Sequence, residues 1–329
     1  MRGIFLLSAF AALSLPGAAL AQGAKASSAP ELARAIDTLR PGQWVWAPLV
    51  APAGPVIVYV DLSKQIAIVY RNGIRIGATT ISSGKDGYDT PTGVFTILQK
   101  DADHRSSKYN NAPMPFQQRL TWDGVALHAG GLPGYPESHG CVHLPYEFAK
   151  QLFAVTKLGI TVVVQGHAAN HVRTTPNSLL ASFDAKGQPV ETRPLEGAEY
   201  RWQPELAPAG PLSIIVSKTD QRVVVLRNGV EIGRSVARVD DPDPGSHVIN
   251  LVMRGGRPAW VYVGLPGHAE DEGKALDEAT INRVRMPRAF YQLVKAQLTP
   301  GATILVTNSP VGAEPLEKLT IMDAVAPQP

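Results

Sequence analysis

Two kinds of hydrophobic spacing run through this chain, and each occurs twice. Residues 56–60 form a continuous apolar run rich in β-branched side chains, and 65–70 form a second. Such short runs bounded by turn residues predict strands. Asn72-Gly73 follows, then a third run over 74–81. Asn-Gly between apolar runs predicts a tight hairpin, because a type I′ turn needs positive φ at both central residues. Residues 125–128 read as a further short strand. The period then changes. Over 145–158, Phe148, Leu152, Val155 and Leu158 recur near every 3.6 residues. That spacing predicts a helix with Pro145 in its first turn and Gly159 as its C-terminal cap. Residues 160–164 return to a buried-strand pattern. The second occurrence places a helix over 287–298 and a strand over 303–307.

The recurrence extends to identities. Shifted by 156 residues, Trp46 meets Trp202, Ala51-Pro52-Ala53-Gly54-Pro55 meets Ala207-Pro208-Ala209-Gly210-Pro211, and Arg71-Asn72-Gly73 meets Arg227-Asn228-Gly229. Between 46 and 77 there are 15 identities in 32 positions without a gap. Two copies at this spacing predict a duplicated domain rather than a solenoid. The expected organisation is a signal peptide over 1–21, an N-terminal segment over 22–53 and a first domain over 54–166. A linker over 167–197, a second domain over 198–309 and a tail over 310–329 follow. The fold class expected is mainly β with a few helices.

Composition narrows the function. The 329 residues are 44% apolar and 18% charged, with 30 Gly and 28 Pro, a globular and turn-rich balance. Net charge is +3, and no basic run with interleaved aromatics occurs, which argues against a nucleic-acid partner. Met1-Arg2, a short apolar run over 4–15 and Ala19-Leu20-Ala21 fit a secretory signal peptide cleaved after Ala21. The run is too short for a membrane span. The expected location is the periplasm, with no stable span after cleavage.

One stretch carries the chemistry. Residues 127–145 hold the only cysteine of the chain, Cys141, and three of its eight histidines, His128, His139 and His143. A lone thiol cannot form an intramolecular disulfide, and in an exported protein it is an oxidation liability unless its reactivity is used. A free thiol has a pKa of about 8.5, so a base such as His128 is needed to activate it. Gly130, Gly131, Pro133, Gly134 and Pro136 require a turning loop that can bring the two side chains together. Gly140 allows close backbone approach to a substrate carbonyl, as an oxyanion hole requires. This equipment suits acyl transfer through a thioester. Two other readings stand beside it. Cys141 can be a small buried hydrophobe, although Ser138 and His139 argue against that. His128, His139, Cys141 and His143 can be four metal ligands, although their spacing matches no zinc pattern.

In the second copy, the helix alignment sets Arg283 against Cys141 and Ile281 against His139. Matching Gly131-Leu132-Pro133-Gly134 to Gly264-Leu265-Pro266-Gly267 sets Val261 against His128. The second copy therefore reads as non-catalytic.

Ser138-His139-Gly140-Cys141, preceded by His128 and followed by Val142-His143-Leu144-Pro145, resembles the YkuD-type L,D-transpeptidase family. Thr90-Pro91-Thr92-Gly93-Val94-Phe95 resembles the Thr-Pro-x-Gly-x-Phe segment of that family. The resemblance covers about residues 54–165. It implies a β-sandwich-like catalytic domain, here followed by a degenerate duplicate, that acts on peptidoglycan stem peptides. By resemblance Cys141 is the nucleophile and His128 its base. Ser138, His139 and Gly140 are the motif positions around the oxyanion site. Cys141 attacks a carbonyl at an L–D bond, a D-residue leaves, and the acyl group passes to an amine such as a diaminopimelate side chain. Products of 3-3 or 1-3 linkage, protein attachment and D-residue exchange all remain open. His143 stands where the family usually has Arg or Asn. His143, Tyr109, Met114, Phe116, Trp122, Ala129 and Gly130 are the candidate substrate-binding residues. No cofactor and no resident metal are implied. A hydrolase using the same thioester, a metal-dependent amidase and a non-catalytic wall-binding protein are the competing functions.

Overall fold

The computed structural model describes residues 23–26, 28–166, 168, 194–265 and 268–312. The expected signal peptide, most of the expected linker and all but the first residues of the expected tail lie outside these. Among the described residues, no helix is long and apolar enough to cross a membrane. The chain is mainly β with a few helices, as its hydrophobic spacing predicts.

The first half contains β1 (Ala24–Lys25), α1 (Ala29–Ile36), β2 (Trp44–Trp46), β3 (Val56–Asp61), β4 (Ile66–Arg71), β5 (Ile74–Thr80), β6 (Gly93–Thr96), β7 (Gln99–Asp101), β8 (Gln117–Arg119), β9 (Ala126–Ala129), β10 (Val142–Leu144), α2 (Tyr146–Val155) and β11 (Thr161–Gln165). The second contains β12 (Tyr200–Trp202), β13 (Leu212–Ser217), β14 (Arg222–Arg227), β15 (Val230–Val236), β16 (Arg238–Val239), β17 (His247–Arg254), β18 (Arg257–Val263), α3 (Glu278–Ile281), β19 (Val284–Arg285), α4 (Arg288–Lys295) and β20 (Thr303–Thr307).

Each half builds a seven-stranded sheet. The orders are β1-β2-β5-β4-β3-β11-β6 and β12-β15-β14-β13-β20-β17-β18. In both, the predicted hairpin forms, with Asn72 and Gly73 at φ 55° and 79° and Asn228 and Gly229 at φ 51° and 80°. A bulge falls after Val69 in one sheet and after Val225 in the other. Trp46 and Trp202 meet Phe148 and Phe290 edge to face at 5.4 and 5.7 Å. Each indole lies flat over a glycine, Gly77 or Gly233, where a Cβ would come within 2.3 or 2.5 Å of the ring.

The continuous apolar strands are explained by burial on both faces. Along β3, Val58 and Val60 face a core shared with α2, the four-stranded sheet β10-β9-β8-β7 and Leu152. Ile57 and Tyr59 face the opposite way, into a core made jointly with Ile215, Val224, Val248 and Leu305 of the second half. The two large sheets therefore pack face to face. Tyr70 is fully buried there, and its hydroxyl donates to the Gly264 carbonyl at 2.7 Å. Arg75 pairs with Glu272 at 2.6 Å across the same boundary.

Several expectations are refined. Residues 24–46, read as a separate N-terminal segment, add β1 and β2 to the first sheet, with Trp44–Trp46 paired to β5. α2 ends earlier than its spacing predicts. Thr156 leaves the helix in extended conformation and buries a hydroxyl that donates to Gln118 at 2.7 Å. Gly159, at φ 81°, serves the turn into β11 and does not cap the helix. Val261 does not occupy the place of His128. It lies on β18 in the seven-stranded sheet, whereas His128 lies on β9 in the four-stranded one. The Gly-Leu-Pro-Gly match is confined to loops and does not carry the strand order. β19 pairs Arg285 with Arg238, and in the first half His143 bridges Ser82.

Candidate active site

The site is built where a parallel strand pair ends. β9 and β10 run side by side with Leu127 opposite Val142, His128 opposite His143 and Ala129 opposite Leu144. That register sets the two imidazoles together, with ring centroids 4.8 Å apart. Cys141 precedes β10 by one residue, and Cys141 and His128 line the same cavity.

The Cys141 loop is held by side chains around it. Ser138, 3% exposed, donates its hydroxyl to the Cys141 carbonyl at 2.5 Å and accepts the Gly140 N–H at 3.2 Å. Gly140 sits at φ 105°, a conformation that disfavours any side chain. Its carbonyl accepts the Thr90 hydroxyl at 3.0 Å, and Thr90 in turn accepts the Gly84 N–H at 2.8 Å. Backbone bonds from Glu137 and Ser138 to the Ser83 carbonyl dock the loop on the strand end after β5. The Gly140 N–H is spent inside the motif. The N–H groups of His139 and Cys141 are the backbone donors that the motif does not consume.

Electrostatics favour the uncharged forms of both Cys141 and His128. Burial pushes the Cys141 thiol up, opposed by the Ala126 N–H and Arg119. The thiol donates to the Gly124 carbonyl at 3.6 Å. His128, 5% exposed, is pushed down to about 4 by burial first and by His143 second. Its Nδ1 lies 2.8 Å from the Ala129 carbonyl. A carbonyl only accepts, so Nδ1 carries the proton and Nε2 keeps its lone pair. An uncharged imidazole with a free Nε2 is the form that can take a proton from a thiol. His143 is also pushed down by burial, against the Gly131 carbonyl at 3.2 Å and Glu137 at 3.9 Å.

Around Cys141 opens a cavity of about 900 Å³. Of the expected substrate-binding residues, His143, Tyr109, Met114, Trp122, Ala129 and Gly130 line it. Phe116 does not. Its φ of 58° turns the ring onto Tyr146 and Phe153, at 5.2 and 5.8 Å, where it covers the core. Ser138 is not in the wall, and its part is to shape the loop. His139 reaches the cavity between Tyr88 and Tyr109, at 4.5 and 4.8 Å.

Three wall features escaped the sequence. Tyr88 flanks His139. Arg119 and Lys108 supply positive charge. Gln117 is 1% exposed, and neither atom of its amide makes a hydrogen bond among the described residues. A buried amide without partners costs about 1–3 kcal/mol per group, so a substrate amide that pairs with it recovers that cost.

Residues 55–164 match the family model of the L,D-transpeptidase catalytic domain, YkuD. The match covers about a third of the chain, and over that segment the chain is similar to the YkuD family. Among solved structures, an L,D-transpeptidase (Yku) from Stackebrandtia nassauensis is 32% identical over 37% of this chain and 60% of its own, with a TM-score of 0.34. An L,D-transpeptidase from Mycobacterium tuberculosis H37Rv is 25% identical over 33% of this chain and 57% of its own, with a TM-score of 0.32. The chain thus spans about three fifths of these two structures. No curated protein matches it. Within the YkuD segment fall Cys141, His128 and the whole wall of the 900 Å³ cavity.

Proposed function

We propose that this chain is a cysteine-dependent L,D-transpeptidase acting on peptidoglycan stem peptides outside the cytoplasm. The observation that carries this is the placement of Cys141 and an uncharged His128 in one cavity of a YkuD segment.

The donor peptide lies in the cavity with its carbonyl over Cys141. As Sγ bonds to that carbon, the thiol proton passes to His128 Nε2. The tetrahedral oxyanion is met by the N–H groups of His139 and Cys141. Collapse breaks the C–N bond, and the leaving D-residue takes the proton from His128. A thioester on Cys141 remains. An acceptor amine then attacks, loses its proton to His128, and the thiolate that is expelled recovers it. His143, held below its ordinary pKa, is neutral at pH 7, so Arg119 and Lys108 are the groups that pair with a substrate carboxylate. Gln117 pairs with a peptide amide.

The second half is read as a diverged copy of the first. Matching sheet order, the shared bulge and the Trp-on-Gly packing support this. Its role is to cover the second face of the catalytic sheet, since Ile57, Tyr59, Ile68 and Tyr70 have their apolar partners there. Deleting it therefore yields an insoluble or unfolded chain. A soluble, active product ending near residue 200 contradicts this role.

The test of activity is incubation with tetrapeptide-stem muropeptides, wild type beside Cys141→Ala, read by mass spectrometry. A cross-linked dimer absent from the variant supports transpeptidation, and its fragmentation gives the linkage. Shortened monomers alone mean that water is the acceptor.

A further inference from the structure

The second half has no thiol, yet it holds a cluster of its own. Asp243, His247 and His268 each offer one ligand atom, and the three atoms lie within 4.8 Å of one another. One Asp243 oxygen is 3.3 Å from His247 Nε2 and the other is 4.0 Å from His268 Nε2. The two imidazole rings are 4.6 Å apart. They come from separate elements, since His247 opens β17 and His268 precedes a short helical turn over Ala269–Asp271.

The carboxylate between them is fixed. The Gly245 N–H donates to Asp243 Oδ1 at 2.6 Å. Lys218 donates to the carbonyls of Asp243 and Gly245 and pairs with Asp241 at 3.7 Å, which holds the loop by its backbone. On the far side, Glu270 and Asp271 form a second such group with His268.

Two imidazole nitrogens and a carboxylate oxygen that converge from separate elements form a donor set suited to a shared cation. A bound first-row ion sits about 2.0–2.2 Å from each ligand, which spaces the ligands roughly 3–3.4 Å apart. The His247–Asp243 pair, at 3.3 Å, already has that spacing, and His268, 4.0 Å from Asp243, must move inward to reach it. Two imidazoles and one carboxylate leave further positions open. Those positions face a cleft of about 730 Å³ lined by Asp243, His247 and Asp271 among apolar residues such as Ile249 and Trp260. On the corresponding face of the first half, the four-stranded sheet fills the space.

We propose that Asp243, His247 and His268 bind one divalent first-row transition-metal ion at the end of this cleft. The ion ties the loop before β17 to the segment after β18. The site is independent of Cys141 and of the activity proposed above.

The test uses full-length protein carrying Cys141→Ala, so that no thiol competes, freed of metal by a chelator. Zinc is titrated in competition with a chromogenic chelator. The expected result is one equivalent of zinc. His268→Ala and Asp243→Asn each weaken it at least about tenfold, the scale on which loss of even an outer-shell partner acts. His104→Ala leaves binding unchanged. Thermal midpoints of the metal-free proteins verify folding, and Asp243→Asn retains the shape of the loop if His268→Ala unfolds. Absence of zinc binding overturns the proposal. So does an equivalent that persists in both variants, which places the ion at His128 and His143 instead.

Discussion

A proton on His128 is the perturbation that most sharply separates this account from a preformed thiolate–imidazolium pair. An unfolded histidine titrates near ~6.5. In the fold, burial and the neighbouring His143 hold His128 down to about 4. Between those values the unfolded chain binds a proton that the folded chain refuses, so stability falls as pH falls through this window. At pH 7 the effect is nearly absent. By pH 5 the loss is about 2 kcal/mol, and it approaches about 3 kcal/mol below pH 4. His128→Asn removes the titration while an amide still reaches the Ala129 carbonyl. Urea unfolding followed by tryptophan fluorescence at pH 7, 6 and 5 gives the stability of both proteins. The carboxylates contribute to both proteins and cancel in the difference, while the His143 charge that helps to lower His128 is part of the effect read. Wild type is expected to lose about 2 kcal/mol more than the variant between pH 7 and pH 5. Parallel curves would refute the reasoning, since His128 would then protonate in the fold as readily as outside it.

Three further outcomes follow from the site. The rate of Cys141 alkylation by iodoacetamide rises only above the range of an ordinary thiol, because burial holds the proton on sulfur; a plateau below pH 7 contradicts the neutral pair. Gln117→Met raises the unfolding midpoint, since it removes two unpartnered buried atoms worth about 1–3 kcal/mol each, and raises KM for the donor peptide; lower stability with unchanged KM contradicts the assigned role. Thr90→Val keeps the side-chain shape but cuts the link between Gly84 and Gly140, at a cost of about 1–3 kcal/mol and a fall in kcat with KM held; normal kcat in a folded variant removes Thr90 as a positioning residue.

What the residue pattern revealed was local or chemically rare. The β3-β4-β5 hairpins were legible because their runs are β-branched and Asn-Gly punctuates them. Cys141 was legible because it is the only thiol. β2 was missed because three residues carry no period, and its partner lies more than thirty residues away in β5. The face-to-face packing of the sheets was hidden for a similar reason, as an uninterrupted apolar run does not say what covers each face. Phe116 was misplaced because its positive φ is set by tertiary context. Gln117 and Arg119 are unremarkable as letters, and their chemistry arises from where β8 puts them. The Thr-Pro-x-Gly resemblance located Thr90 but not its work, which is a hydrogen bond to a glycine 50 residues away.

The central claim is that Cys141 carries an acyl group during turnover. Intact-mass spectrometry of the protein quenched in acid during turnover of a tetrapeptide-stem donor tests it most directly. The account predicts a mass increase equal to the donor less its terminal D-residue, on the peptide containing Cys141, that disappears when an acceptor amine is added. Product formation without any adduct, or an adduct on another peptide, would contradict it.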